Sequence, residues 1–219
     1  AASTPATNVT VNSVYEIEEL FGGGNGYGEG NPGANVGYTP YPTSYDPPAS
    51  SMEERAQFGY GSGVASVNIY GGRIHRVFGG SNTKGNVRQT AVTMLDNQDQ
   101  CPLIIDEAYG GGKSAPMDAE AKLLMACIPG LKAVYGGAQN ADIQNDVTLN
   151  ITNGTFDRVF GGNNISGTIR GMITVNIEET GCKPLIIGQL YVGGNLAPYE
   201  APAGKPCPTI NVKSFTSIG

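Results

Sequence analysis

The chain has 219 residues, of which 15% are charged, with a formal net charge of -6, 33 glycines, 11 tyrosines and no tryptophan. That balance speaks against nucleic acid or an anionic membrane surface as partner, and no run of about 20 apolar residues is present to insert into a membrane. The composition is that of a turn-rich β protein rather than a disordered chain, and the length suits a single elongated domain over 1–219.

Residues 1–7 carry neither a basic stretch nor an apolar core, so they are expected to begin a mature chain after removal of a signal peptide. A short pattern then appears at 17–23: Ile17, Glu18, Glu19, Leu20, Phe21, Gly22, Gly23. It consists of an apolar residue, two polar residues, an aliphatic residue, an aromatic and a glycine pair. After it, about 24–63, lies an insertion rich in Gly, Pro and Tyr, with 51–57 as a candidate short helix. Its Tyr38, Tyr41 and Tyr45 are candidate ligand-binding residues, because long loops on rigid scaffolds carry binding function and tyrosines stack on sugars. The competing reading is a cap over the first strand edge.

The pattern returns at 74–80, 105–111, 131–137, 156–162 and 187–193, and only the last copy departs, with Val192 in the first glycine place. Its aromatics Phe21, Phe78, Tyr109, Tyr135, Phe160 and Tyr191 stand 57, 31, 26, 25 and 31 residues apart. A longer repeat matches 66–116 with 148–198 at an offset of 82, which is three short intervals. Periods of about 20 to 50 residues mark solenoids and propellers, and propeller blades run longer than these intervals. Within one unit, short β-rich runs such as 147–152 and 156–160 flank the turn Asn153-Gly154. The expected fold is therefore all-β: a single-stranded right-handed parallel β-helix of about six to seven coils of 25–31 residues. Two local departures are expected. Residues 118–126 have helical propensity with Gly130 as a stop, and 215–219 match the first places of a seventh copy, with Ile218 in the aliphatic place.

Aligned on the pattern, Ile17, Ile74, Ile105, Leu131, Phe156 and Ile187 form one inward column, and Leu20, Val77, Ala108, Val134, Val159 and Leu190 another. A spacing of three implies a bend between them. The polar columns alternate in sign, Glu19 with Arg76 with Glu107 and Asp106 with Lys132 with Asp157, as opposite charges across paired strands favour. The only histidine, His75, falls between Glu18 and Asp106. These three are the candidate catalytic residues, as a metal site or a carboxylate pair for acid and base work on a glycoside, against a solvated charge ladder as the plainer reading. Zinc spacing, phosphate loop and nucleophile elbow are all absent, so no cofactor is expected.

Cys127 follows Cys101 by 26 residues and Cys207 follows Cys182 by 25, each one coil. The expected disulfides are Cys101 to Cys127 and Cys182 to Cys207, with free buried thiols as the alternative. If they form, the location is oxidising. Four Asn-x-Ser/Thr sequons begin at Asn8, Asn150, Asn153 and Asn164, and are read as asparagine-rich strands and turns.

The phrases Val77-Phe78-Gly79-Gly80-Ser81-Asn82, Val134-Tyr135-Gly136-Gly137 and 147–156 resemble the repeats of secreted or cell-surface parallel β-helix proteins of bacteria, adhesin-like and broadly similar to the pectate-lyase fold. The resemblance implies a noncatalytic extracellular solenoid, structural or adhesin-like, that binds a polysaccharide or a host or cell-surface protein. The alternative it carries is a polysaccharide lyase or glycoside hydrolase. The calcium-binding aspartates and the Arg or Lys cluster typical of such lyases do not map onto this sequence, which weighs against an enzyme.

Overall fold

A computed structural model describes residues 3–26, 34–38, 63–96, 101–205, 208–213 and 217–218. The candidate helix at 51–57, Tyr41, Tyr45 and Cys207 lie outside these. The strands are β1 (Ser3–Thr4), β2 (Thr7–Val11), β3 (Ile17–Phe21), β4 (Asn35–Val36), β5 (Val64–Ile69), β6 (Gly72–Phe78), β7 (Gln89–Leu95) and β8 (Leu103–Tyr109). They continue with β9 (Ala121–Ala126), β10 (Ile128–Tyr135), β11 (Val147–Ile151), β12 (Gly154–Phe160), β13 (Ile173–Ile177), β14 (Leu185–Tyr191), β15 (Thr209–Val212) and β16 (Ser217–Ile218).

Every named pair is parallel and joins one turn of chain to the next. One seven-stranded sheet runs β2-β5-β7-β9-β11-β13-β15 and the other β3-β6-β8-β10-β12-β14-β16. A narrow third side begins with β1 on β4 and continues through single bridges from Val36 to Val87, Met117, Ile143 and Ile169. The described strands thus form a parallel β-helix of seven coils, the last contributing β15 and β16. No described residue is helical.

Alternation explains the first sheet. Val67, Val92, Leu123, Leu149 and Val175 stack in register and are at most 1% exposed, while their neighbours Ser66, Ala91, Thr148 and Thr174 face outward. In the second sheet both expected apolar columns point inward, and the backbone pairing skips His75 and Asp106 between them, so the chain bends there. The aromatics form a separate ladder from Phe21 to Tyr191, with centroids 4.7 to 5.0 Å apart and planes within 12°. Rings at this spacing follow the strand separation of about 4.8 Å. Four of them, Phe78, Tyr109, Tyr135 and Phe160, are buried outside the main core.

The glycine pair is required by that spacing. A Cβ on Gly22, Gly79, Gly110, Gly136 or Gly161 would stand 2.2 to 2.4 Å from the carbonyl oxygen of the corresponding residue one coil on. Val192 is tolerated in coil 6, where the neighbouring Gly193 has nothing within 4 Å of its Cβ position.

Two local expectations are corrected. Residues 121–126 form β9, with Ala121, Leu123 and Met125 inward. The helix-forming side chains there are overridden by open strand edges on both sides, offered by β7 and β11. Gly130 accordingly lies within β10, at the point where its register with β12 shifts. In the last coil Ile218 pairs with Ile187, so it fills the first apolar place of the pattern rather than the aliphatic one.

The cysteine pairing is corrected as well. Cys127 bonds to Cys182, 55 residues on, and Cys101 is unbonded beside the Ser13 hydroxyl. Counting one coil between cysteines misled because Cys182 sits on a long connection that laps backwards, skipping coil 5 to reach coil 4, and Cys101 of coil 3 likewise stands beside Ser13 of coil 1.

Candidate functional site

The charged strip on the outer face of the second sheet gathers the candidate residues. Outward positions of β3, β6 and β8, with the residues just before β3, stack there because the strands are in register, Glu19 opposite Arg76 opposite Glu107. His75 is central. Its Nδ1 lies 2.7 Å from Asp106 and its Nε2 2.8 Å from Glu16, with Glu18 4.0 Å away. Asp106 also meets Lys132 at 3.0 Å and Arg73 at 4.0 Å, and Arg73 reaches Glu16 at 3.6 Å. Arg76 pairs with Glu18 at 3.2 Å and Glu19 at 3.1 Å, and Lys113 clamps Glu19 at 2.8 Å. Glu107 turns instead to the Tyr109 hydroxyl, which donates to it at 3.0 Å.

The electrostatics favour the charged forms. The hydrogen bond to Glu16, then that to Asp106, holds the His75 pKa above its ordinary 6.5. Partial burial works to raise the Asp106 pKa, but Lys132 and His75 outweigh it and leave it lowered. With both ring nitrogens engaged by carboxylates, His75 presents neither of them to a substrate proton. Among the described residues no group of three or more His, Cys, Asp or Glu is arranged to hold a metal ion.

Glu18, His75 and Asp106 are therefore brought together, with Glu18 the most exposed and the loosest member. Sequence reasoning missed Glu16 and Arg73, which extend the sign alternation one column before Ile17. It also missed Lys113, a lysine standing in a column otherwise made of Asn25, Asn82, Gln139, Asn164 and Asn195.

Of the candidate ligand-binding tyrosines only Tyr38 is described. Its hydroxyl donates to Asp118, which also accepts from Asn86 Nδ2 at 3.2 Å. The ring lines an open depression of about 340 Å³ with Arg88 and Asn145.

The outer face of the first sheet differs in chemistry. Asn150, Asn176 and Asn211 form an amide ladder, Asn176 Nδ2 donating to Asn150 Oδ1 and Asn211 Nδ2 to Asn176 Oδ1, both at 2.8 Å. Near its other end Thr7, Asn8, Ser66, Asn68, Ala91 and Thr93 line an open groove of about 450 Å³. Asn153 and Asn164, two of the sequon asparagines, are buried at 0% and 8% exposure, as structural asparagines should be.

No protein-family model, curated protein or solved structure matches the chain. The class is therefore defined by the fold alone, a parallel β-solenoid, and its disulfide points to an oxidising location.

Proposed function

We propose that this chain is a noncatalytic extracellular solenoid, secreted or held at a cell surface, which acts as a structural or adhesin-like element and contacts glycans. The observation that carries this reading is the state of His75. The residue best placed for acid and base work has both ring nitrogens within 2.8 Å of carboxylates. Its neighbours are likewise taken up in ion pairs between coils, so the strip acts as a ladder that holds the coils in register.

The glycan side of the proposal rests on the first sheet. Its outer face offers amides and hydroxyls in rows, nearly without charge, and such groups hydrogen-bond sugar hydroxyls with no ion to desolvate. The test is a panel of neutral and acidic polysaccharides assayed for retention and for released product. Binding without product is expected, and weaker binding in Asn68→Ala would place it in the groove. Product formation abolished by Asp106→Asn would overturn the proposal in favour of a lyase or hydrolase.

A further inference from the structure

The connection between β13 and β14 does more than turn a corner. After Ile177 the chain makes a long excursion over residues 179–184 instead of the tight Asn153-Gly154 corner of the coil beneath it. It lies directly on that corner. Asn153, fully buried, accepts from the Thr180 amide at 3.0 Å and the Thr180 hydroxyl at 2.6 Å, and its Nδ2 donates to the Lys183 carbonyl. Cys182 passes beyond coil 5 to bond Cys127 of coil 4, and Lys183 reaches Asp96 of coil 3 at 3.0 Å, where the aspartate side chain is 3% exposed. Gly181, at φ 102° with open space around it, and the exposed Cys182 form the outer bend.

A related arrangement occurs 81 residues earlier, at Cys101, with two changes. Cys101 corresponds to Cys182, and its carbonyl lies over Gly71, the counterpart of Asn153. Ser13, four residues before Ile17, corresponds to Cys127, four residues before Leu131. Its hydroxyl stands 3.0 Å from the Cys101 sulfur. In the second half the two corresponding places are bonded covalently, and in the first a cysteine faces only a serine.

We infer that residues 179–184 form a redox latch across coils 3 to 6, and that the Ser13 and Cys101 pair is the unlatched copy of the same device. A dithiol reductant opens it. One thiolate of the reductant attacks the exposed Cys182 sulfur and expels the Cys127 thiolate. The second thiol then displaces Cys182, leaving two protein thiols and the reductant's own disulfide, a transfer of two electrons and two protons. Opening frees the strap at Gly181, bares Asn153, whose side-chain partners lie on it, and draws Lys183 away from Asp96. The seven-coil stack beneath stays paired, because its strand contacts do not pass through the strap.

Hydrogen exchange of the whole chain, oxidised and after dithiothreitol, tests this. Reduction should accelerate exchange of the Thr180 amide and its neighbours about tenfold or more while β11 and β13 stay protected. Cys127→Ser should exchange at the fast rate with or without reductant. Ser13→Cys should form a bond to Cys101, seen as a linked peptide in a nonreduced digest. Unchanged exchange at 179–184 on reduction, or loss of protection through every coil, would overturn the latch. An unbonded Cys101 in Ser13→Cys would overturn the equivalence of the two pairs.

Discussion

Replacing Gly110 with alanine should cost about 4 kcal/mol of stability. The new Cβ would stand 2.2 Å from the Gly136 carbonyl oxygen, whereas ordinary contact begins at 3.4 Å, so coil 4 must lift by the difference. Such a shift breaks the bonds from the Gly110 amide to the Tyr135 carbonyl (3.0 Å) and from the Gly111 amide to the Gly137 carbonyl (2.9 Å). Both amides are in buried residues, and a buried group left unmade costs roughly 1 to 3 kcal/mol. For a domain of this size each kcal/mol lowers Tm by about 2 to 4 °C, so the expected fall is about 8 to 16 °C, followed by far-UV circular dichroism. Gly193→Ala is the control, since nothing lies within 4 Å of its Cβ position, and it should stay within about 0.5 kcal/mol. A Gly110→Ala melting curve that overlays the wild type would refute the claim that stacked carbonyls dictate these glycines.

Further outcomes follow from the ladders and the strip. Tyr109→Ala removes a ring stacked on both faces and a hydroxyl bonded to Glu107 and Asn164, and should cost about 3 to 5 kcal/mol in denaturant unfolding. Arg76→Glu would set like charges beside Glu18 and Glu19, and should lower stability by about 1 kcal/mol, a loss that salt reduces because the pairs are partly exposed. For pH, the raised His75 pKa contributes stability that is fully present below 6.5 and is lost as pH rises through the folded value. The lowered Asp106 pKa contributes stability present above 3.8 and lost as pH falls through its folded value. Tm measured against pH should therefore decline on the alkaline side in the wild type, and His75→Gln should remove that decline.

The coil register was legible because stacking repeats one residue type in one place. Phe21 through Tyr191 and the two aliphatic columns name the second sheet outright, and Glu19 opposite Arg76 follows from the same alignment. Where the chain leaves the repeat, local signals failed. Residues 118–126 read as a helix because alanine, lysine, leucine and methionine favour one, and only the strand edges beside them decide otherwise. The disulfide was misread because sequence distance counts coils and not the reach of a connection lying across them. Even so, the equivalence of Ser13 and Cys127 was available in the alignment, each four residues before the first apolar place. His75 and Asp106 were placed together correctly, whereas Glu16 lay one column outside the pattern.

The most direct measurement is the titration of the single histidine, followed by the ring nitrogen and carbon shifts of His75 in nuclear magnetic resonance. The expected result is a pKa above 6.5, lowered on Glu16→Gln and on Asp106→Asn. A pKa at or below 6.5, unmoved by either substitution, would contradict the ion-pair ladder and return His75 to the position of a general base.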